Sequence, residues 1–248
     1  MTKTVLITGG SRGIGEATAE LAAAAGWRVV ITYRAEVDRA RAVVERLQAK
    51  GAEISAYHAD VADAASVSML FSQIAEEVGP LHAVVANAGQ IAKRMKLVDM
   101  APERMDQLLR VNVLGALLTA QGAAKAMGKS FGGTGGALVL ISSAAARLGS
   151  GNEFVDYAAS KGAIDTLVTG LATELGPDGI RVNGIRPGLI ETEMQAASGW
   201  PERATALAAN VPLGRSGTAE EVAEGIVWLL SDAARYVNGA NIDITGGR

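Results

Sequence analysis

Tyr157 and Lys161 stand four residues apart in "YAASK", within the longer stretch "YAASKGAIDTLVTGLATELG". On a helix that spacing puts both side chains on one face. A phenol with an ordinary pKa near 10 needs a shift of roughly three units, about 4 kcal/mol, to exchange protons near neutrality. An ammonium ~5–6 Å away supplies on the order of 3 kcal/mol at an effective dielectric near 20. The pair therefore describes a general acid/base with its own electrostatic partner. Y-x-x-x-K also arises by chance, as an exposed helix pair of little energetic value. Here it is the only match among four tyrosines, and it follows a strand-like run ending in "ISS".

A second chemical signal lies near the N-terminus. "TGGSRGIG" follows the strand-like "TVLIT" and opens an Ala-rich helix. Gly9, Gly13 and Gly15 allow a tight turn and let a pyrophosphate approach the backbone where unpaired helix N–H groups favour anions. Ser11, Arg12 and Ile14 belong to the same turn. The spacing differs from the usual G-x-G-x-x-G, so its position between strand and helix carries the reading. The next strand, in "GWRVVITYRAE", ends in Tyr33 and Arg34, where dinucleotide sites often place a carboxylate for the adenosine ribose. A carboxylate there repels a 2′-phosphate, whereas an Arg fork receives one. Arg34 with Arg12 therefore points to NADP rather than NAD, although Glu36 lies close enough in sequence to swing back to a ribose.

"GGSRG" also fits G-x-S-x-G, the nucleophile elbow of a hydrolase, with Ser11 as nucleophile. Such an enzyme needs a late histidine, and the chain offers only His58 and His82. His82 begins a strand at the wrong end of the sheet and His58 sits inside one, so both read as structural.

The elements that position these residues alternate along the chain. "TVLIT", "RVVIT", "HAVVAN", "ALVLISS", "IRVNGIRP" and "ANIDIT" are apolar runs of the kind buried on both faces of a parallel sheet, with "EISAYHAD" as a weaker third strand. Helical spacing fills the intervals, as with Ala40, Val43, Val44 and Leu47. The glycine-rich "SFGGTGGA" sits where a helix-to-strand loop belongs. The pattern predicts an α/β fold, a single Rossmann-type doubly wound parallel sheet with helices on both faces, formed by residues 1–248 as one domain. The 248 residues are 49% hydrophobic and 20% charged, enough for a large core without staples. There is no cysteine, which excludes disulfides and thiolate chemistry and fits a reducing compartment. No metal site is expected. A net charge of −3 with both signs scattered argues against a nucleic-acid surface. No signal peptide or membrane-length apolar run is evident, so a cytoplasmic location is expected.

Taken together these motifs resemble the short-chain dehydrogenase/reductase family over essentially the whole chain. "TGGSRGIG", "NAG" at 87–89, "NV" at 112–113, "SS" ahead of "YAASK", and "RPGLIETEM" appear in the family's order at nearly its spacing. The resemblance implies that Tyr157 is the general acid/base and Lys161 its activator and a cofactor ribose ligand. It implies that Ser143 hydrogen-bonds the substrate oxygen and that Asn112 holds a water in a proton relay to Lys161. Asp60 and Val61 would touch the adenine, with Asn87, Ala88 and Gly89 supporting the sheet and adjoining the adenosine. Pro187, Gly188, Ile190 and Thr192 would pack against the nicotinamide. The implied reaction is hydride transfer between NADP(H) and a carbonyl or secondary alcohol. Ser143 and Tyr157 are fourteen apart, one more than is usual in the family, and the loop "RLGSGNEFVD" is expected to absorb the extra residue. Ser142 is expected to point the other way.

Residues 189–217 are expected to form a lid, with Met194 and Trp200 lining an apolar pocket or packing the lid itself. Lys93, Arg94 and Lys96 form a basic run that reads as solvated surface or as an attraction for an anionic substrate or acyl carrier protein. A 3-oxoacyl reductase and a sugar or polyol dehydrogenase both remain compatible, and a non-catalytic cofactor-binding sensor is the alternative outside enzymes. The resemblance implies a homotetramer; the small-residue helix from Tyr157 to Leu175 suits close packing between subunits or burial within one.

Overall fold

The computed structural model describes residues 2–248. In chain order the first half runs β1 Thr4–Ile7, α1 Gly13–Ala24, β2 Arg28–Tyr33, α2 Val37–Gln48, β3 Ile54–His58, α3 Ala64–Glu77 and β4 Ala83–Ala86. It continues through α4 Pro102–Leu109, a π-turn at Arg110–Leu114, α5 Gly115–Met127 and β5 Gly136–Ile141. The remainder is α6 Ala145–Leu148, α7 Val155–Leu175, β6 Ile180–Pro187, α8 Met194–Ala197, α9 Arg203–Ala206, α10 Ala219–Leu230 and β7 Asn241–Ile244.

The strands form one sheet in the order β3-β2-β1-β4-β5-β6-β7, and every neighbouring pair is parallel. The central strands alternate their side chains between two apolar layers. Val5, Ile7, Val29, Ile31, Val85 and Val139 pack with α1, α2 and α10. Leu6, Val30, Val84, Leu138, Leu140 and Val182 pack with α3, α5 and α7. Burial on both faces is why these strands read as continuous apolar runs. On α2, Ala40, Val43 and Leu47 are buried and Val44 packs against the same layer, as their spacing predicts.

After β3 the chain crosses from the edge of the sheet back to its centre and lays β4 beside β1. Such a reversal opens a crevice at the carboxyl ends of the strands, where doubly wound sheets bind ligands. Every motif of the sequence reading falls at that end. Local signals fix the helix starts around it: the Asp63 carboxylate accepts from Ala65 N–H at 2.8 Å, and Thr218 with Glu221 forms a capping box on α10. Among the described residues no helix is long and apolar enough to cross a membrane.

Candidate active site

A cleft of about 790 Å³ runs along the carboxyl ends of the strands. At one end lies the glycine turn, with Gly9 at φ +66° and Gly13 at φ +54°, a backbone region that side chains resist. A Cβ on Gly15 would sit inside contact distance of the Gly9 carbonyl oxygen and 2.6 Å from Asn87 Nδ2, so only glycine lets α1 start so close to β1. Arg12 precedes α1 in an extended conformation, and no side chain caps the helix. The first-turn N–H groups are thus left for an anion. Ser11 and Ile14 line the cleft within this turn.

Polar side chains fasten the turn to its neighbours. Asn87 Nδ2 donates to Thr8 O at 2.9 Å and Gly9 O at 3.1 Å, while Thr8 Oγ1 accepts from the Asn87 and Ala88 N–H groups at 3.0 Å each. Thr32 Oγ1 accepts from Gly9 N–H at 3.1 Å. Neither threonine was singled out in the sequence. The available signal for Thr32 was a lone hydroxyl inside an otherwise apolar strand.

Arg34 and Arg12 are exposed on the cleft rim. Glu36, the carboxylate nearest in sequence, is held by Arg39 at 2.8 Å, and Arg39 also reaches Glu193 at 3.5 Å. Asp60 lines the cleft with its carboxylate turned to the Ala62 N–H at 2.9 Å, and Val61 is buried beside it. Ala88 and Gly89, then Pro187, Gly188, Ile190 and Thr192, continue the wall. Neither histidine hydrogen-bonds Ser11. His82 accepts from Thr4 N–H at 3.0 Å at the amino end of the sheet, where burial and then Lys3 push its pKa down. The His58 ring packs edge-on against Tyr33, centroids 5.8 Å apart.

At the other end of the cleft Tyr157, Lys161 and Ser143 converge. Lys161 is buried, donates from Nζ to Ile141 O at 2.7 Å, and lies 5.7 Å from the centre of the Tyr157 ring. The separation agrees with helical i, i+4 geometry, but the electrostatic outcome differs from the sequence expectation. Burial raises the Tyr157 pKa above its ordinary value, opposed first by the Ser143 hydroxyl and then by the Arg203 charge. Burial also lowers Lys161 to about 8, opposed by Asp165. Removing both groups from water penalises both charged forms, a cost that pairwise attraction alone ignores.

Ser143 faces this cleft and its Oγ accepts from Ala145 N–H at 3.1 Å. Ser142 turns its hydroxyl the other way, donating 2.6 Å to Asp165. In the loop before Tyr157, Gly149, Ser150 and Asn152 all adopt positive φ. Ser150 and Asn152 are the only non-glycine residues among those described that do so. Asn112 does not line the cleft. It is buried in the π-turn, where Nδ2 donates to Gln90 O at 2.9 Å and Ser160 Oγ at 3.0 Å and Oδ1 accepts from Gln90 N–H at 2.8 Å. A Cβ on Gly89 would stand 3.5 Å from both Asn112 Oδ1 and Lys161 Nζ, so these atoms flank one small gap.

Residues 189–217 leave β6, form α8 and α9, and return to Ile190 through a parallel bridge at Gly217. Met194 lines the cleft. Trp200 does not; its ring lies 5.6 Å from the Arg94 guanidinium. Within the basic run Arg94 therefore turns onto the 189–217 segment, and its backbone N–H also donates to Ser198 O at 2.9 Å.

Comparison with known proteins agrees with this geometry. A family model described as enoyl-(acyl carrier protein) reductase matches residues 9–248. YgfF of Escherichia coli K12, an uncharacterized oxidoreductase, is 47% identical over 243 residues, covering 98% of each chain. An L-rhamnose 1-dehydrogenase (NAD(P)(+)) of Azotobacter vinelandii is 37% identical over 250 residues, covering 99% of this chain and 96% of its own. A solved short chain dehydrogenase from Burkholderia cenocepacia J2315, in complex with NADP, is 36% identical with a TM-score of 0.90, covering 99% of this chain and 97% of that one. With its parallel sheet, glycine turn and Tyr–Lys pair, the chain belongs to the short-chain dehydrogenase/reductase family of nucleotide-binding oxidoreductases.

Proposed function

We propose that this protein transfers a hydride between NADP(H) and a carbonyl or secondary-alcohol substrate, with Tyr157 as general acid/base. The observation that carries this reading is one continuous cleft with the glycine turn at one end and Tyr157, Lys161 and Ser143 at the other. The residues present fit a dinucleotide, because the turn brings backbone without side chains against the uncapped start of α1. When bound, the nicotinamide supplies the hydride donor or acceptor.

In the reductive direction the Tyr157 hydroxyl delivers a proton to the carbonyl oxygen, and a raised pKa suits it to wait in the protonated state. Ser143 donates a second hydrogen bond to the same oxygen. Lys161, oriented by the Ile141 carbonyl, stabilises the phenolate left behind and reaches the cofactor ribose. Asn112 keeps the backbone at Gln90 in place and flanks the gap toward Lys161 through which a water relays the proton. Arg34 and Arg12 favour NADP over NAD, and Glu36 is already engaged by Arg39, which supports that preference. Residues 189–217 act as the substrate lid on a single domain of residues 1–248. The outer face of α7 exposes Ala159, Thr166 and Gly170, small groups that suit association into a homotetramer. The absence of cysteine supports a cytoplasmic setting.

The test is NADPH-dependent reduction of a carbonyl panel by wild type and Tyr157→Phe. The variant should lose roughly 10²–10⁴-fold in kcat while binding NADPH as before. A variant that keeps a tenth of the activity rules out Tyr157 as the acid. NADPH binding without turnover of any carbonyl or alcohol favours the sensor reading instead.

A further inference from the structure

Arg203, on α9 of the lid, is a partly orphaned cation. Its side chain is only 14% exposed and one terminal nitrogen reaches Glu153 Oε2 at 3.2 Å. The guanidinium lies over the Phe154 ring at 5.2 Å. Its Nε is buried and donates to no acceptor. Buried donors in native structures are nearly always paired, and a charged one left unpaired is costly. Glu153 is also approached by Arg94, at 3.6 Å, so two guanidinium groups share one carboxylate. The nearby Asp156 cannot balance the excess, because Arg104 holds it at 2.9 Å. One uncompensated positive charge therefore stands at the substrate end of the cleft, whose wall includes Arg203, Glu153 and Tyr157.

Its position narrows what it can receive. Phe154 precedes Tyr157 by three residues, and the two rings pack in one cluster with Leu108. The Arg203 charge is felt at the Tyr157 hydroxyl, which it pulls toward ionisation. An anion bound here lies beside the reacting carbonyl, not at the far end of a long carrier arm. A planar guanidinium with a free Nε–H matches the two oxygens of a carboxylate. Arg94 stays with Glu153 when Arg203 turns to a ligand.

We propose that Arg203 is a specificity-determining residue that receives a carboxylate carried by the substrate close to its carbonyl. The preferred substrates are then free oxo acids and the matching hydroxy acids, ahead of the corresponding esters and thioesters. The proposal rests on the hydride-transfer reading above for the identity of the reacting group.

The probes are pyruvate, acetoacetate and levulinate, each beside its ethyl ester. Binding is measured by calorimetry on the NADP⁺-loaded protein, where a carbonyl compound cannot turn over. In wild type at least one acid should bind tenfold or more tightly than its ester, and Arg203→Gln should bring that ratio within threefold of unity. Glu153→Gln separates recognition from lid packing: a packing role weakens binding of acid and ester alike, whereas recognition keeps or widens the ratio. No acid ahead of its ester in wild type, or a ratio that survives Arg203→Gln, overturns the proposal. Turnover with NADPH is read separately. Preferential binding of an acid without its reduction leaves the carboxylate site standing and removes the hydride-transfer reading.

Discussion

The two ends of the cleft are built by different means. At the glycine end, backbone geometry and short neutral hydrogen bonds join β1, β2 and β4 through Thr8, Thr32 and Asn87. At the substrate end, short helices and loops far apart in sequence meet through charged groups: Arg94 and Arg203 on Glu153, Arg94 on Trp200, Arg203 on Phe154. The first arrangement tolerates almost no added atom. The second exchanges partners readily, because ion pairs near the surface are worth little individually and adjust to what enters.

The sharpest break in the comparison is Gly15→Ala. Its Cβ would meet the Gly9 carbonyl and stand 2.6 Å from Asn87 Nδ2, and neither can retreat without moving a strand end. Overpacking of this kind costs about 1–3 kcal/mol. A fall in Tm of roughly 2–12 °C is expected for a chain this size, together with weakened NADPH binding. An unchanged Tm shows that the turn is softer than described.

A pH series tests the charged end next. Lys161 is lowered to about 8 by burial, so the folded protein gives up its proton before the unfolded chain does. Reductive kcat/KM should be level below pH 7 and fall toward tenfold per unit above about 8, as the ammonium is lost. Level activity to pH 9.5 shows that the charge is not required. Stability moves the opposite way. Between about 8 and the ordinary value of 10.5 the unfolded state binds more protons, so the burial penalty of Lys161 is relieved as pH rises. Denaturant unfolding of wild type against Lys161→Met across that window should show the difference shifting in favour of wild type.

Arg34→Ala sharpens the comparison on the rim of the glycine end. Titration by nicotinamide fluorescence should show NADPH binding about tenfold tighter than NADH in wild type, about 1.4 kcal/mol, with the preference erased in the variant. Equal binding of both by wild type assigns the ribose to another group. The smallest effect belongs to Arg94→Ala. Its pair with Glu153 is half exposed, and loss of less than about 1 kcal/mol is expected by chemical denaturation. A loss several times larger makes the lid contact as rigid as the glycine turn and dissolves the contrast.

The Tyr–Lys pair was legible because both residues lie on one helix, where separation in sequence converts directly into separation in space. The glycine turn was legible for a similar reason, since a tight strand-to-helix turn imposes residue types within a few positions. The spacing of fourteen between Ser143 and Tyr157 was harder to read. In the folded chain the Ser143 hydroxyl faces the cleft, and Ser150 and Asn152 in the following loop adopt left-handed backbone. The lid partnership was not legible at all. Trp200 read equally as a pocket wall or as packing within its own segment, and its contact with Arg94 favours the second, while nothing in the spacing of Arg203 and Glu153, fifty residues apart, announces that they meet.

The protonation of the Tyr–Lys pair marks the same boundary. A spacing of four residues predicts attraction, but the folded chain buries both groups, and desolvation shifts each against its charged form. Local order therefore determined the strand and helix alternation, the glycine turn and the face shared by Tyr157 and Lys161, because these depend on periodicity and backbone freedom alone. Tertiary structure decided the solvent exclusion around that pair, the sharing of Glu153 and the unpaired Nε of Arg203, because burial and charge pairing depend on segments that become neighbours only when the sheet is complete.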